Sequence, residues 1–404
     1  MPAYPADPEF DFLLRCTVRQ PQIDEIPALD LDRLYLMASE HDVVPLLYRG
    51  LRAIGGPEVL LDRLSEEIMK RGLFYEIILP QHLAEILAGL QESGVPSLLL
   101  KGYALGVEIY RQPLMRPFID YDLLLHPNDG AKAAEVLRAL GYKPASGIAL
   151  PPEHHHLVPY VHPERLMVEL HSDLVTAQGA VHIDMDQVWA ESRPWQVQGA
   201  PTHILCLEHT LIYLALHAVM THLFEQGLKA ICDVHELLTT QTVDWDRVIA
   251  TSHAWGCARQ VYLTLRLLNE LYGEVVSAQV FQQLSHESIN PQLLEYSLEN
   301  LRQTSVIGLS GSSGLAEAWS APTTTQRIRH ILERLFPDPQ TLIRYYHLSQ
   351  RDRSVWLYYP RWQYMFVHRH LRTAWHLLRA DPDTRENARH ELIRRDLLAW
   401  VTQG

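Results

Sequence analysis

Four cysteines in 404 residues, Cys16, Cys206, Cys232 and Cys257, lie far apart and match no metal-ligand spacing. They read as reduced, mostly buried thiols of a cytoplasmic protein. The opening MPAYPADPEFDF lacks the basic and apolar regions of a signal peptide. No apolar run approaches the roughly 20 residues that cross a bilayer, so no membrane partner is expected. No tandem repeat is visible. Positive charge is also scarce: a net charge of −13 argues against general nucleic-acid binding. The Gly/Ser-rich stretch SGSSG has neither the flanking strand nor the lysine of a P-loop, so residues 304–325 read as a loop or linker. What remains is an ordinary globular composition, 47% hydrophobic and 21% charged, long enough for two or three domains with their own cores.

The chain's chemistry concentrates in residues 95–125. The apolar run Val95–Leu100 predicts a strand, and Lys101-Gly102 a turn into a helix carrying Ala104, Leu105, Val107 and Ile109. Beyond it, Asp120 and Asp122 alternate with Ile119, Tyr121, Leu123 and Leu125, the period of a half-buried strand with two carboxylates on its open face. Residues two apart on a strand stand about 7 Å apart, close enough for their carboxylates to share metal ions. Held about 6 Å apart without a cation they would repel by about 3 kcal/mol at an effective dielectric near 20. The pair therefore points to a divalent-metal site. Further on, Glu169, His171 and Asp173 share a face by period two.

The set LLLKG, RPFIDYD and VELH, with 46 residues between Asp122 and Glu169, resembles the uncharacterised bacterial nucleotidyltransferase family of the polymerase-β-type superfamily. The resemblance runs from about residue 35 to about 375. It implies an α+β fold: a small mixed β-sheet core, polymerase-β-like, with a helical N-terminal prefix and a large α-helical C-terminal region. The expected boundaries are 1–93 for the prefix, 94–185 for the catalytic core, 186–303 for a helical domain, 304–325 for the linker and 326–404 for an arginine-rich helical arm. It further implies a third acid on a later strand, Glu169 with Asp173 as the fallback, and Mg2+, two ions, with Mn2+ as the alternative, held by Asp120, Asp122 and Glu169. A nucleoside triphosphate, most simply ATP, would be bound by Lys101, Gly102, Arg116 and His171. Many polymerase-β-type enzymes carry Gly-Gly or Gly-Ser at the turn; here it is Lys101-Gly102.

Elsewhere the text is helical. Residues 10–93 read as helices interrupted at Pro80 and closed at Gly94, with His41 at a helix start. Asn128 or Asp129 is expected to cap a helix bearing Ala133, Val136, Leu137 and Leu140, ended by Gly141. SRPWQVQGAPT reads as a loop. His209, Tyr213 and His217 form one helical stripe, better explained by packing at a domain seam than by ligation. Asp233 sits inside an apolar helix, with Lys229 as its nearest partner; the resemblance makes either residue a secondary candidate for facing the base or ribose. Consecutive residues cannot all face one ion, so His154–His156 do not read as a dedicated metal site.

Residues 327–379 hold ten arginines, no lysine and three acids (Glu333, Asp338, Asp352), about +7 locally against about −20 elsewhere. A solvated face, or intramolecular pairing with the excess acids, is favoured over a binding surface. The leading function is therefore metal-dependent transfer of an NMP to an unidentified hydroxyl acceptor, a small molecule or a peptide or protein. A nucleic-acid end is a less favoured acceptor. The alternatives are a catalytically silent accessory protein on the same fold and a histidine-based metallohydrolase using His154–His156 and His171. A silent copy has no reason to keep two repelling aspartates, and the histidines lack ligand spacing.

Overall fold

The alternation around Asp120 becomes a strand, β2 (Asp120–Leu125), in the middle of a seven-stranded mixed sheet. The computed structural model describes residues 7–145, 155–176, 179–285, 289–302, 359 and 382–402. The linker, His154 and, apart from Tyr359, the arginine-rich segment lie outside the described residues. The chain divides into two compact units, one of residues 1–290, 297–304 and 401–404, the other of 291–296 and 305–400.

In the first unit β1 (Ser97–Leu99) runs antiparallel to β2, and β5 (Met167–His171) lies parallel to β2 on its other side. The short strands β3 (Lys143–Pro144) and β4 (Tyr160–Val161) extend the sheet beyond β5. At the other end, β6 (Arg193–Val197) and β7 (Ala200–Ile204) form a hairpin whose β7 pairs parallel to β1. The order is thus β3-β4-β5-β2-β1-β7-β6. The hairpin corrects the loop expected at SRPWQVQGAPT, and it carries the sheet past the expected core boundary at residue 185. Its two-residue turn, Gln198-Gly199, has φ of +48° and +87°, the left-handed pair that matches the twist of the flanking strands. Pro194 is accommodated because β6 is an edge strand.

One face of the sheet is buried beneath α5 (Leu79–Glu92) and α7 (Gly130–Ala139). Leu83, Ile86, Leu87 and Leu90 of α5 and Ala133 and Leu137 of α7 join Tyr121, Leu123, Leu125, Val168 and Leu170 in one core. A fully buried Leu contributes about 1.5–3 kcal/mol, so two or three of these contacts offset the repulsion between the aspartates opposite. Ile119 is the exception to the expected alternation. It is 74% exposed, because the strand begins only at Asp120. Asp129 occupies the cap position of α7 but makes no side-chain capping bond.

The N-terminal region is helical, as read: α1 (Pro8–Thr17), α2 (Leu31–Glu40), α3 (Val44–Ile54) and α4 (Glu58–Leu73) precede α5. Pro80 does not interrupt the helix, since it falls in the first turn of α5, after a π turn over Phe74–Ile78. That turn places Tyr75 so that its hydroxyl donates to the Phe118 carbonyl at 3.0 Å, pinning the approach to β2. Tyr121 donates to the Leu79 carbonyl at 2.8 Å, tying β2 to the same helix. By length and composition Glu58–Glu92 could cross a membrane, but its second half is the core helix of this sheet. His41 follows α2 rather than starting a helix, and its buried Nδ1 accepts from the Leu228 amide at 3.1 Å.

The short helix α8 (Met185–Ala190) leads into the hairpin, and beyond it come α9 (Leu207–Leu216), α10 (Leu228–Thr240), α11 (Trp245–Ala254) and α12 (Ala258–Tyr272). The stretch from Val243 to Gly273 holds two of these helices, α11 and α12. Gly256 at φ +66° separates them.

Candidate active site

Strand pairing sets the site. Asp122 on β2 is in register with Glu169 on β5, and Leu124 with His171. Because alternate residues share a face, Asp120, Asp122, Glu169 and His171 all stand on the side opposite the core. The ligand atoms of Asp122, Glu169 and His171 come within 4.8 Å of one another. Asp173 does not join them: β5 ends at His171, and the Asp173 carboxylate folds back to accept from the Leu174 amide at 2.6 Å.

The His171 Nε2 proton points to Asp122 Oδ1 at 3.0 Å, with Glu169 Oε2 at 3.6 Å, while Nδ1 is buried without a partner among the described residues. Burial opposes a charge on this ring, but its two carboxylate neighbours outweigh burial and raise its pKa. The neighbouring His171 ring holds Glu169 below the usual carboxylate range. At Asp122, burial works to raise the pKa; Lys101 and His171 override it and hold the group ionised. Asp120 differs. Burial first and the Asp122 charge second push its pKa up to about 6, and no hydrogen bond or ion pair among the described residues engages its carboxylate.

Lys101 comes to this face through the end of β1. The Leu100 amide donates to the Asp122 carbonyl at 3.0 Å, so the next residue projects beside Asp122. Its Nζ lies 3.5 Å from Asp122 Oδ1 and 3.3 Å from His217 Nε2. Gly102 then turns the chain at φ +46° and ψ −116° into α6 (Lys101–Glu108). A cleft of about 300 Å³ opens alongside, lined among others by Lys101, Arg116, Asp120, His217, Gln226 and Lys229.

Other candidates are engaged by protein partners. Arg116 is buried and binds Asp233 through Nε at 3.0 Å and Nη2 at 2.8 Å, and the Tyr110 hydroxyl donates to the same carboxylate at 2.9 Å. Asp233 is therefore partnered by Arg116, not by Lys229, and at 2% exposure it cannot face a base or ribose. Lys229 pairs with Asp42 at the cleft wall. His155 and His156 pack their rings 5.4 Å from that of His171, at the edge of the site. The stripe His209–Tyr213–His217 divides: His209 packs on Trp255, whereas His217 reaches Lys101.

The site has the marks of a cation centre. Among the described residues, Asp122 Oδ2 is buried with no hydrogen-bond partner, a costly state that a bound cation would relieve. Carboxylate oxygens are suitable donors for a hard divalent ion, and His171 braces them from beside the site. A second grouping, Glu191, Cys206 and His209, fits less well, because the Arg247 guanidinium already sits 2.6 Å from Glu191 Oε2.

A family model described as an uncharacterised nucleotidyltransferase matches residues 27–273. No curated relative matches the chain. Among solved structures, the chain is similar to the antibiotic-resistance factor ANT(2'')-Ia, at 14% identity and a TM-score of 0.34. The match covers 47% of this chain and 96% of that one, and at this distance it carries no argument about activity.

Proposed function

The chain belongs to the uncharacterised nucleotidyltransferase family and is an enzyme of nucleotidyl transfer; we propose that it moves an NMP, most simply AMP from ATP, onto a hydroxyl acceptor at the Asp120/Asp122/Glu169 face. The observation that carries this reading is the β2–β5 register, which sets Asp122 abreast of Glu169, with a buried Asp122 oxygen that has no partner among the described residues. Mg2+, with Mn2+ as the alternative, would be held by Asp120, Asp122 and Glu169, supplying charge neutralisation and a more acidic acceptor hydroxyl.

The chain's own residues do the rest. His171 spans Asp122 and Glu169 and fixes the orientation of both. Asp120 lines the cleft with its charge least compensated, so it is the carboxylate most responsive to a ligand. Lys101 offers an ammonium to the anionic tail of the nucleotide. Gly102 opens the start of α6, where free amides can meet a phosphate. Arg116 supports this wall while committed to Asp233.

Incubation with ATP labelled at the α- or the γ-phosphate, in an extract supplying acceptors, tests the reading. Label should pass to an acceptor from the α position only, and Asp122→Asn should abolish it. Transfer from the γ position would make the protein a kinase. Equal transfer by Asp122→Asn would remove the site assignment.

A further inference from the structure

Lys101 has a second neighbour that nucleotidyl transfer does not by itself require. Its ammonium sits between Asp122 Oδ1 at 3.5 Å and His217 Nε2 at 3.3 Å. An ammonium carries donors only, so the facing imidazole nitrogen must be the unprotonated one and must accept. An unrestrained lysine beside a buried carboxylate closes to about 2.7–2.9 Å, the span of a charged hydrogen bond. Here it stands off. With its side chain 13% exposed, Lys101 has little water to hold it away, and the acceptor on its other side is His217.

His217 is placed for that purpose by local backbone. It opens a π turn, His217–Thr221, that follows α9 directly, and such turns shift the register of the residues they contain. The Tyr213 ring lies 5.9 Å before it and the His222 ring 4.7 Å after it, fencing the imidazole on two sides. His217 and Lys101 both line the cleft that contains Asp120.

We propose that His217 is a positioning residue that holds the Lys101 ammonium off Asp122 and over the cleft, where it meets the phosphates of the nucleoside triphosphate. The proposal rests on the nucleotidyl-transfer reading and adds to it the residue that sets this contact. Without His217 the ammonium falls onto Asp122, where it both leaves the phosphates and competes with the cation for that carboxylate.

Calorimetric titration of the full chain with a non-hydrolysable ATP analogue and Mg2+ tests this through binding alone. His217→Phe keeps a ring but removes the acceptor, and should weaken binding by about tenfold. His217→Gln, whose amide oxygen accepts from an ammonium, should recover to within about threefold of the unmodified protein. Lys101→Met should weaken binding at least as much as His217→Phe, and the double variant should be no weaker than Lys101→Met. Unchanged binding in His217→Phe, or losses that multiply in the double variant, would overturn the proposal while leaving nucleotidyl transfer intact. If His217→Phe does not fold, the Gln variant in the Lys101→Met background decides the same point: it should bind as Lys101→Met does, and any further loss overturns the proposal. No binding by the unmodified protein would remove the nucleotide reading, and this proposal with it.

Discussion

Replacing Asp120 by Asn should make the metal-free protein more stable at neutral pH. The Asp120 carboxylate is desolvated, faces the Asp122 charge, and has its pKa raised from 3.8 to about 6. A shift of that size is worth ~3 kcal/mol against the ionised form at 1.36 kcal/mol per pH unit. Partial exposure to water reduces it to about 1–2 kcal/mol. A raised carboxylate pKa stabilises the fold below the unfolded value, near 4, and that contribution is lost as pH rises through about 6. Asp122 and Glu169, both lowered, lose their stabilisation only in more acid solution, and His41 and His222, held near 4 by burial, oppose Asp120 over the same window. Total stability therefore mixes signs, and the difference between unmodified and Asp120→Asn protein isolates the group. Thermal unfolding without divalent ions should show Asp120→Asn about 2–5 °C higher at pH 7.5. The gap should narrow as pH falls below about 6 and close near pH 4, and Mg2+ should stabilise the unmodified protein more than the variant. A variant that is less stable at pH 7.5, or a gap independent of pH, would refute the electrostatic account.

Glu169→Gln should lower transfer by roughly 100-fold, whereas Asp173→Asn should stay within about threefold, because Asp173 is tied to its own backbone; label transfer from α-labelled ATP measures both. Asp233→Ala leaves a buried guanidinium unpaired and should cost about 3–5 kcal/mol in urea unfolding, most of it restored by adding Arg116→Met. Loss of nucleotide binding without loss of stability in Asp233→Ala would return Asp233 to the ribose. Gly102→Ala meets no atom closer than 3.7 Å, yet at φ +46° it should destabilise by about 1–3 kcal/mol through backbone strain alone.

The elements that periodicity encodes were legible in the sequence. Tyr121, Leu123 and Leu125 had to face a core, and that sent Asp120 and Asp122 to the other side. What periodicity does not encode is which strands become neighbours. The abreast placement of Asp122 and Glu169 follows from a parallel pairing across 46 intervening residues, and only the resemblance to a family suggested it. The β6–β7 hairpin was hidden because Pro194 reads as a strand breaker and Gln198-Gly199 is a less familiar turn than Asn-Gly. Asp233 was given the wrong partner because Lys229 is near in sequence, whereas Arg116 is near only after folding. His217 was missed for a similar reason: its stripe-mate His209 does pack on Trp255, as a seam histidine would.

Crystals grown with Mn2+ and a non-hydrolysable ATP analogue, measured at the manganese absorption edge, test the central claim most directly. Anomalous peaks should fall beside Asp120, Asp122 and Glu169, with the α-phosphate adjoining them. Manganese elsewhere, or a nucleotide bound with Glu169 in solvent and Asp173 on the ion, would contradict it.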